Sequence, residues 1–137
     1  MVTKTHKSGA AKTGTDSGAV LATQRAADHR TTGSANTTIN ASGTGDTLTV
    51  NADGMADNTS LDINGSATYA VSNLEANTDA AGTTGTVSLA YTDVTDNGAS
   101  ITTGSGATTV SGTTSGDTLS INAAALAQNT TLTESGA

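Results

Sequence analysis

Beyond residue 30, large apolar residues occur singly or as pairs spaced by two. The pairs are Leu48-x-Val50, Leu61-x-Ile63, Val87-x-Leu89 and Leu119-x-Ile121, and Ile39, Val71, Ile101, Val110 and Leu132 are further anchors. A spacing of two puts both members of a pair on one face of an extended strand. Successive anchor groups begin 9 to 16 positions apart. Gly, Asn and Asp crowd the intervals, where they supply turns and tolerate positive φ. Short strands at regular spacing point to a sandwich, a barrel or a solenoid. A sandwich core usually draws on aromatics, and Tyr69 and Tyr91 are the only ones in the chain. A solenoid needs one or two inward residues per strand, because each coil buries them against the coils on either side. The pattern therefore predicts an all-β protein, a repetitive parallel β-solenoid or β-helix-like stack of short strands.

A 71-residue internal repeat strengthens that expectation. Residues 31–66 align without a gap on 102–137, with 17 of 36 positions identical. Gly45-Asp46-Thr47-Leu48-Thr49-Val50-Asn51-Ala52 falls on Gly116-Asp117-Thr118-Leu119-Ser120-Ile121-Asn122-Ala123, and Asn58-Thr59-Ser60-Leu61 on Asn129-Thr130-Thr131-Leu132. Ile39/Val110 and Met55/Leu126 exchange one apolar residue for another. Ile63, however, falls on Glu134, so one inward position is lost in the second copy. The expected organisation is a full repeat unit over 31–101 and part of a second over 102–137.

Residues 1–30 differ in composition. They hold all five basic residues (Lys4, Lys7, Lys12, Arg25, Arg30) and both histidines, His6 and His29. Gly9, Gly14 and Gly18 weaken any helix there. The segment reads as a disordered basic tail outside the repeats. From Thr31 onward there is no Lys or Arg, while eight Asp and two Glu give a charge of −10. A stretch without cations cannot track a phosphate backbone or an anionic bilayer surface. Nucleic acid is therefore excluded as its partner, and no apolar run approaches the ~18 residues of a membrane span. The charge balance favours a cation as counterion, with oxygen-seeking Ca²⁺ foremost. Absence of Cys excludes a disulfide framework. With both histidines in the tail and no cation in the repeats, catalysis has no support, and the chain reads as a non-enzyme.

Thr103-Gly104-Ser105-Gly106-Ala107-Thr108-Thr109-Val110-Ser111 resembles the nonapeptide G-G-x-G-x-D-x-U-x of hemolysin-type (RTX) repeats. It departs at Thr103 and at Thr108, where that pattern has its Asp. The longer run T-G-S-x-x-T-T-[VI], then G-D-T-L-x-[VI]-N-A, then N-T-x-L, resembles the degenerate β-strand repeats of large bacterial surface and secreted proteins, adhesin-like or S-layer-like. The resemblance implies an extracellular or cell-surface location, neighbouring repeats as partners, and Ca²⁺ held between turns by aspartates and turn carbonyls. Asp46 and Asp117 would fill that role, since they keep identity, neighbours and phase in both copies. The alternative for each Gly-Asp is a tight turn in which Asp caps backbone N–H groups. Residues 51–58 are oxygen-rich, but their counterpart 122–129 lacks Asp53 and Asp57, which favours a loop or short helical turn. Asp93 and Asp96 precede an expected Asn97-Gly98 turn.

Three functions are compatible with these residues. The first is a structural or adhesive β-repeat segment, stabilised by calcium. The second is a flat-face binder of the ice-binding kind, because Thr47-Leu48-Thr49 and Thr131-Leu132-Thr133 turn hydroxyls outward around an inward Leu. The third is a disordered acidic linker, since Leu, Ile and Val total only 19 of 137 residues, below the ~20% expected of folded chains.

Overall fold

The computed structural model describes residues 3–5, 15–16, 20–23, 27–56, 58–92, 98–112 and 118–136. Regular structure among them is entirely β, in coils of two strands. The first coils pair β1 (Thr3–Thr5) with β2 (Thr15–Asp16), and β3 (Val20–Thr23) with β4 (Ala27–Thr32). Next come β5 (Thr37–Ala41) with β6 (Thr47–Asn51), and β7 (Ser60–Gly65) with β8 (Thr68–Leu74). Then follow β9 (Asn77–Thr83) with β10 (Val87–Tyr91), and β11 (Ala99–Thr102) with β12 (Thr108–Ser111). The last coil holds β13 (Leu119–Asn122) and β14 (Leu132–Ser135). Odd-numbered strands form one seven-stranded sheet and even-numbered strands the other, each stacked in chain order. Every pairing is parallel. The predicted parallel β-solenoid is the fold observed.

The spacing-by-two pairs face inward. In β6 the burial alternates so that Leu48 and Val50 are buried, and β7 does the same with Leu61 and Ile63. Coil registry turns these residues into rows. Leu48 pairs with Tyr69, Tyr69 with Val87 and Val87 with Thr108; beside them run Val50, Val71, Leu89 and Val110. Each fully buried aliphatic side chain contributes about 1.5–3 kcal/mol relative to exposure, and a coil supplies only a few. Rows are thus the unit of cohesion, and a strand keeps its core only while both neighbours are present.

Threonine, expected on the outside, also fills the core. Thr37, Thr78, Thr83 and Thr108 are buried at inward positions. Most of their hydroxyls find partners: Thr37 Oγ1 donates to Ala35 O at 3.0 Å, Thr83 Oγ1 to Ala80 O at 2.8 Å, and Thr78 Oγ1 lies 3.0 Å from the Tyr91 hydroxyl. Thr is β-branched, so it fits a strand whichever way it points.

The 71-residue repeat corresponds to seven strands: β5 to β12, β6 to β13 and β7 to β14 are related by the repeat. Seven is odd, so equivalent strands lie on opposite sheets. Leu48/Val50 and Leu119/Ile121 thus occupy equivalent strands rotated by half a coil. The corner that follows is reproduced in detail. Asn51 Oδ1 accepts from Asp53 N–H at 3.2 Å, as Asn122 Oδ1 does from Ala124 N–H at 3.1 Å. Met55 N–H donates to Ala52 O, and Leu126 N–H to Ala123 O. Asn58 and Asn129 both sit at positive φ, 62° and 64°. Because Ala124 serves where Asp53 stands, the carboxylates of the first copy are not needed to make this turn.

The strands described before residue 31 bear on the expected division there. The division between residues 30 and 31 falls inside β4, which pairs with β6 from Ala27↔Thr47 to Thr31↔Asn51. β3 pairs with β5, placing Leu21 beside Ile39. Arg30 stacks in register on Val50 and is 7% exposed. The step in composition is real, but backbone pairing continues across it, because parallel ladders need N–H and C=O groups rather than apolar side chains.

Candidate functional site

With the inward rows packed, chemistry is left to the outward rows, and the two sheets differ there. On the even-numbered sheet, one outward row runs Thr49, Ala70, Ser88, Thr109, Thr133, and another Asn51, Ser72. The first row from β6 to β12, and the second from β6 to β8, carry small, uncharged residues. On the odd-numbered sheet, one outward row runs from β5 to β13 through Thr38, Asp62, Asp79, Thr102 and Asn122. Asp62 and Asp79 are direct neighbours across β7 and β9. Ser60 Oγ donates to Asp62 Oδ1 at 3.0 Å and Thr38 Oγ1 to Asp62 Oδ2 at 3.4 Å. Ala81 N–H donates to Asp79 Oδ1 at 2.9 Å. These hydrogen bonds hold two like charges side by side on adjacent strands, an arrangement that costs stability.

Sequence reasoning missed this pair, because unequal coil lengths hide which outward residues become neighbours. A signal was present: Leu61-Asp62-Ile63 and Thr78-Asp79-Ala80 place Asp at the same phase after an inward residue.

Asp46 stands at the entry to β6 in the turn Gly43-Thr44-Gly45-Asp46. Its N–H donates to Gly43 O at 3.0 Å, and its own carbonyl accepts from Thr68 N–H at 2.8 Å. Gly45 takes φ 91°, which favours glycine. The carboxylate folds over Gly43 so closely that a Cβ there would lie 1.7 Å from Oδ2. Asp117 lies outside the described residues, as do Asp57, Asp93 and Asp96. The strand that follows Asp117, β13, belongs to the sheet opposite β6. The strands that follow the two Gly-Asp pairs, β6 and β13, are therefore seven apart in the chain and not neighbours. Among the described residues no three carboxylate or histidine side chains converge as a metal-ligand group.

Amide side chains tie the corners together. Asn36 Oδ1 accepts from Ser60 N–H at 2.9 Å, and Asn77 Oδ1 from Ser100 N–H at 2.8 Å. Asn73 Nδ2 donates to Asn51 Oδ1 at 2.9 Å. Between Asn58, Asn77, Ser100, Thr118 and Ser120 lies a shallow groove of about 200 Å³, smaller than the ~300–1,000 Å³ typical of ligand pockets.

The two tyrosines act in the interior. The Tyr69 hydroxyl accepts from Ala41 N–H at 3.0 Å and donates to Asn64 O, linking its own sheet to the opposite one. Burial pushes its pKa up to about 12, opposed by those two hydrogen bonds. Burial likewise pushes Tyr91 up to about 12, against its hydrogen bond with Thr78. No protein-family model, curated protein or solved structure matches the chain.

Proposed function

We propose that this chain is a structural or adhesive β-repeat segment of a large secreted or cell-surface bacterial protein, a stiff spacer that displays flat outward rows. The observation that carries this is the division of labour in the coils from β5 to β12: inward rows are packed, and outward rows are small and polar. Its partners are neighbouring repeats stacked along the same axis. Ca²⁺ serves as counterion, because residues 31–137 hold ten carboxylates and no Lys or Arg, and a cation that binds only the folded form stabilises it. Small-angle scattering tests the spacer role. A rod-shaped envelope that resists protease in its central coils supports it, and a compact or unfolded envelope rejects it. Melting curves with and without ~10 mM Ca²⁺, far above extracellular-module affinities, test the counterion. No gain in melting temperature removes calcium and leaves the solenoid spacer standing.

The uncharged rows on the even-numbered sheet favour a second reading, a flat-face binder of the ice-binding kind. Thr49, Ser88 and Thr109 point outward in one row with no charge between them. An ice-recrystallisation assay on the wild type and on Thr109→Lys decides it: inhibition abolished by that substitution supports the binder, and no inhibition in either rejects it.

A further inference from the structure

The last strands of both sheets, β13 and β14, have a partner on one side only among the described residues. Their inward residues show it. Leu132 is 37% exposed and Leu119 and Ile121 are only partly buried, whereas the equivalent Leu61, Leu48 and Val50 are 0%, 1% and 0% exposed. The internal repeat indicates what covers such an end, because its first copy is covered. There, β8 lies on β6 with Tyr69 against Leu48 and Val71 against Val50, and β9 lies on β7 with Thr78 against Leu61.

One hydrogen-bond exchange makes the comparison specific. In the covered copy the Tyr69 hydroxyl sits between two backbone groups of the opposite sheet, accepting from Ala41 N–H and donating to Asn64 O. Adding 71 to those positions gives Gly112 and Ser135. In the uncovered copy no tyrosine intervenes, and Gly112 N–H donates directly to Ser135 O at 3.1 Å. The equivalent backbone donor and acceptor are present in both copies; in the first a hydroxyl bridges them, and in the second they bond directly, with Gly112 at φ 74°.

We propose that the β13–β14 end is a docking surface for one further repeat coil, a strand–turn–strand segment whose first strand carries an inward Tyr-x-Val pair. Its Tyr covers Leu119, its Val covers Ile121, and the hydroxyl replaces the Gly112–Ser135 hydrogen bond by a bridge. This rests on the reading of the chain as a stack of repeats, and adds the identity of the next coil.

The test extends the full chain after Ala137 with a second copy of residues 67–101, which continues the 71-residue register without a gap. Amide hydrogen exchange is compared with that of the 137-residue chain. Protection at Ile121 and Leu132 should rise at least about tenfold, as expected when a frayed edge becomes internal. The Gly112 amide resonance should shift as its acceptor changes from a carbonyl to a phenol oxygen. Tyr69→Phe in the added copy should reverse the Gly112 shift while leaving the coil in place. If Ile121 and Leu132 become protected but Gly112 does not respond to the tyrosine, the bridge is wrong and stacking survives. If the extension leaves Leu132 unprotected, both the docking surface and the stacking reading fail.

Discussion

Residues 31–66 and 102–137 are identical at 17 of 36 positions and share their apolar phase, and the solenoid treats them differently. In the first copy Leu48, Val50, Leu61 and Ile63 are all 0–1% exposed. In the second, the strand equivalent to β7 is β14, which is exposed at all four residues. The strands themselves, the corner between them and its left-handed asparagine are the same in both copies. Local sequence thus specifies the strand and its inward face, while the neighbouring coil sets how much that face contributes. Stability in such a stack is a sum over interfaces between coils rather than over coils.

The largest expected effect follows from that contrast. Leu61→Ala removes a fully buried side chain between two coils and should cost about 3–4 kcal/mol. Leu132→Ala makes the same chemical change at the equivalent position and should cost less than about 1 kcal/mol. Urea unfolding of the two variants, followed by circular dichroism, gives the comparison. Equal costs would show that the second copy is as well covered in solution as the first.

Next in size is an alkaline transition. An unfolded tyrosine loses its proton near pH 10, whereas burial holds Tyr69 and Tyr91 to about 12. The folded state therefore keeps protons that the unfolded state releases. Stability is intact below pH 10 and declines as pH rises from about 10 to 12, by about 2 kcal/mol per tyrosine at pH 12. Melting temperature against pH measures it, and Tyr69→Phe should remove half of the decline. The second copy holds no tyrosine, so hydrogen exchange in β13 and β14 should respond least.

How much of this was legible in the sequence depends on which contact is asked about. The strand pairs, the parallel stack and the 71-residue register followed from apolar spacing, because inward positions must alternate with outward ones. That the repeat spans an odd number of strands did not. Coil length varies (Ile101 pairs with Ile121, but Leu61 with Thr78), so strands per repeat cannot be counted from spacing alone. The aspartates illustrate the consequence. Asp46 and Asp117 match in sequence, but the strands that follow them, β6 and β13, fall on opposite sheets, whereas Asp62 and Asp79 have no repeat relation and lie side by side. The step in charge at residue 30 marks no break in pairing, since β4 continues across it on β6.

A smaller effect should be shared by both copies. Thr32, at the end of β4, and Thr103, just after β11, are equivalent in the repeat and are 1% and 0% exposed. Neither hydroxyl has a protein hydrogen-bond partner. Valine has nearly the same shape without the hydroxyl. Thr32→Val and Thr103→Val should each stabilise the fold by about 1 kcal/mol. Thermal melts of the two single variants and the double variant check this, with additivity expected because the sites are far apart. A loss of stability in either would mean its hydroxyl is engaged in solution.

The smallest effect concerns the outward face. Asp62 and Asp79 stand directly opposite each other, and like charges so placed on neighbouring strands are destabilising. The row equivalent to Asp62 in the second copy carries Thr133 instead, so the repulsion belongs to the first copy alone. Asp79→Asn keeps the oxygen that accepts from Ala81 N–H and removes the charge. It should raise the melting temperature by about 1–2 °C at low salt. The gain should shrink in 1 M NaCl, where the screening length is about 3 Å. Calcium offers a sharper version. If Ca²⁺ relieves repulsion at this pair, ~10 mM should stabilise the wild type more than Asp79→Asn. An equal response in both would place the calcium effect elsewhere in the acidic region, and Asp46→Ala then becomes the variant to compare.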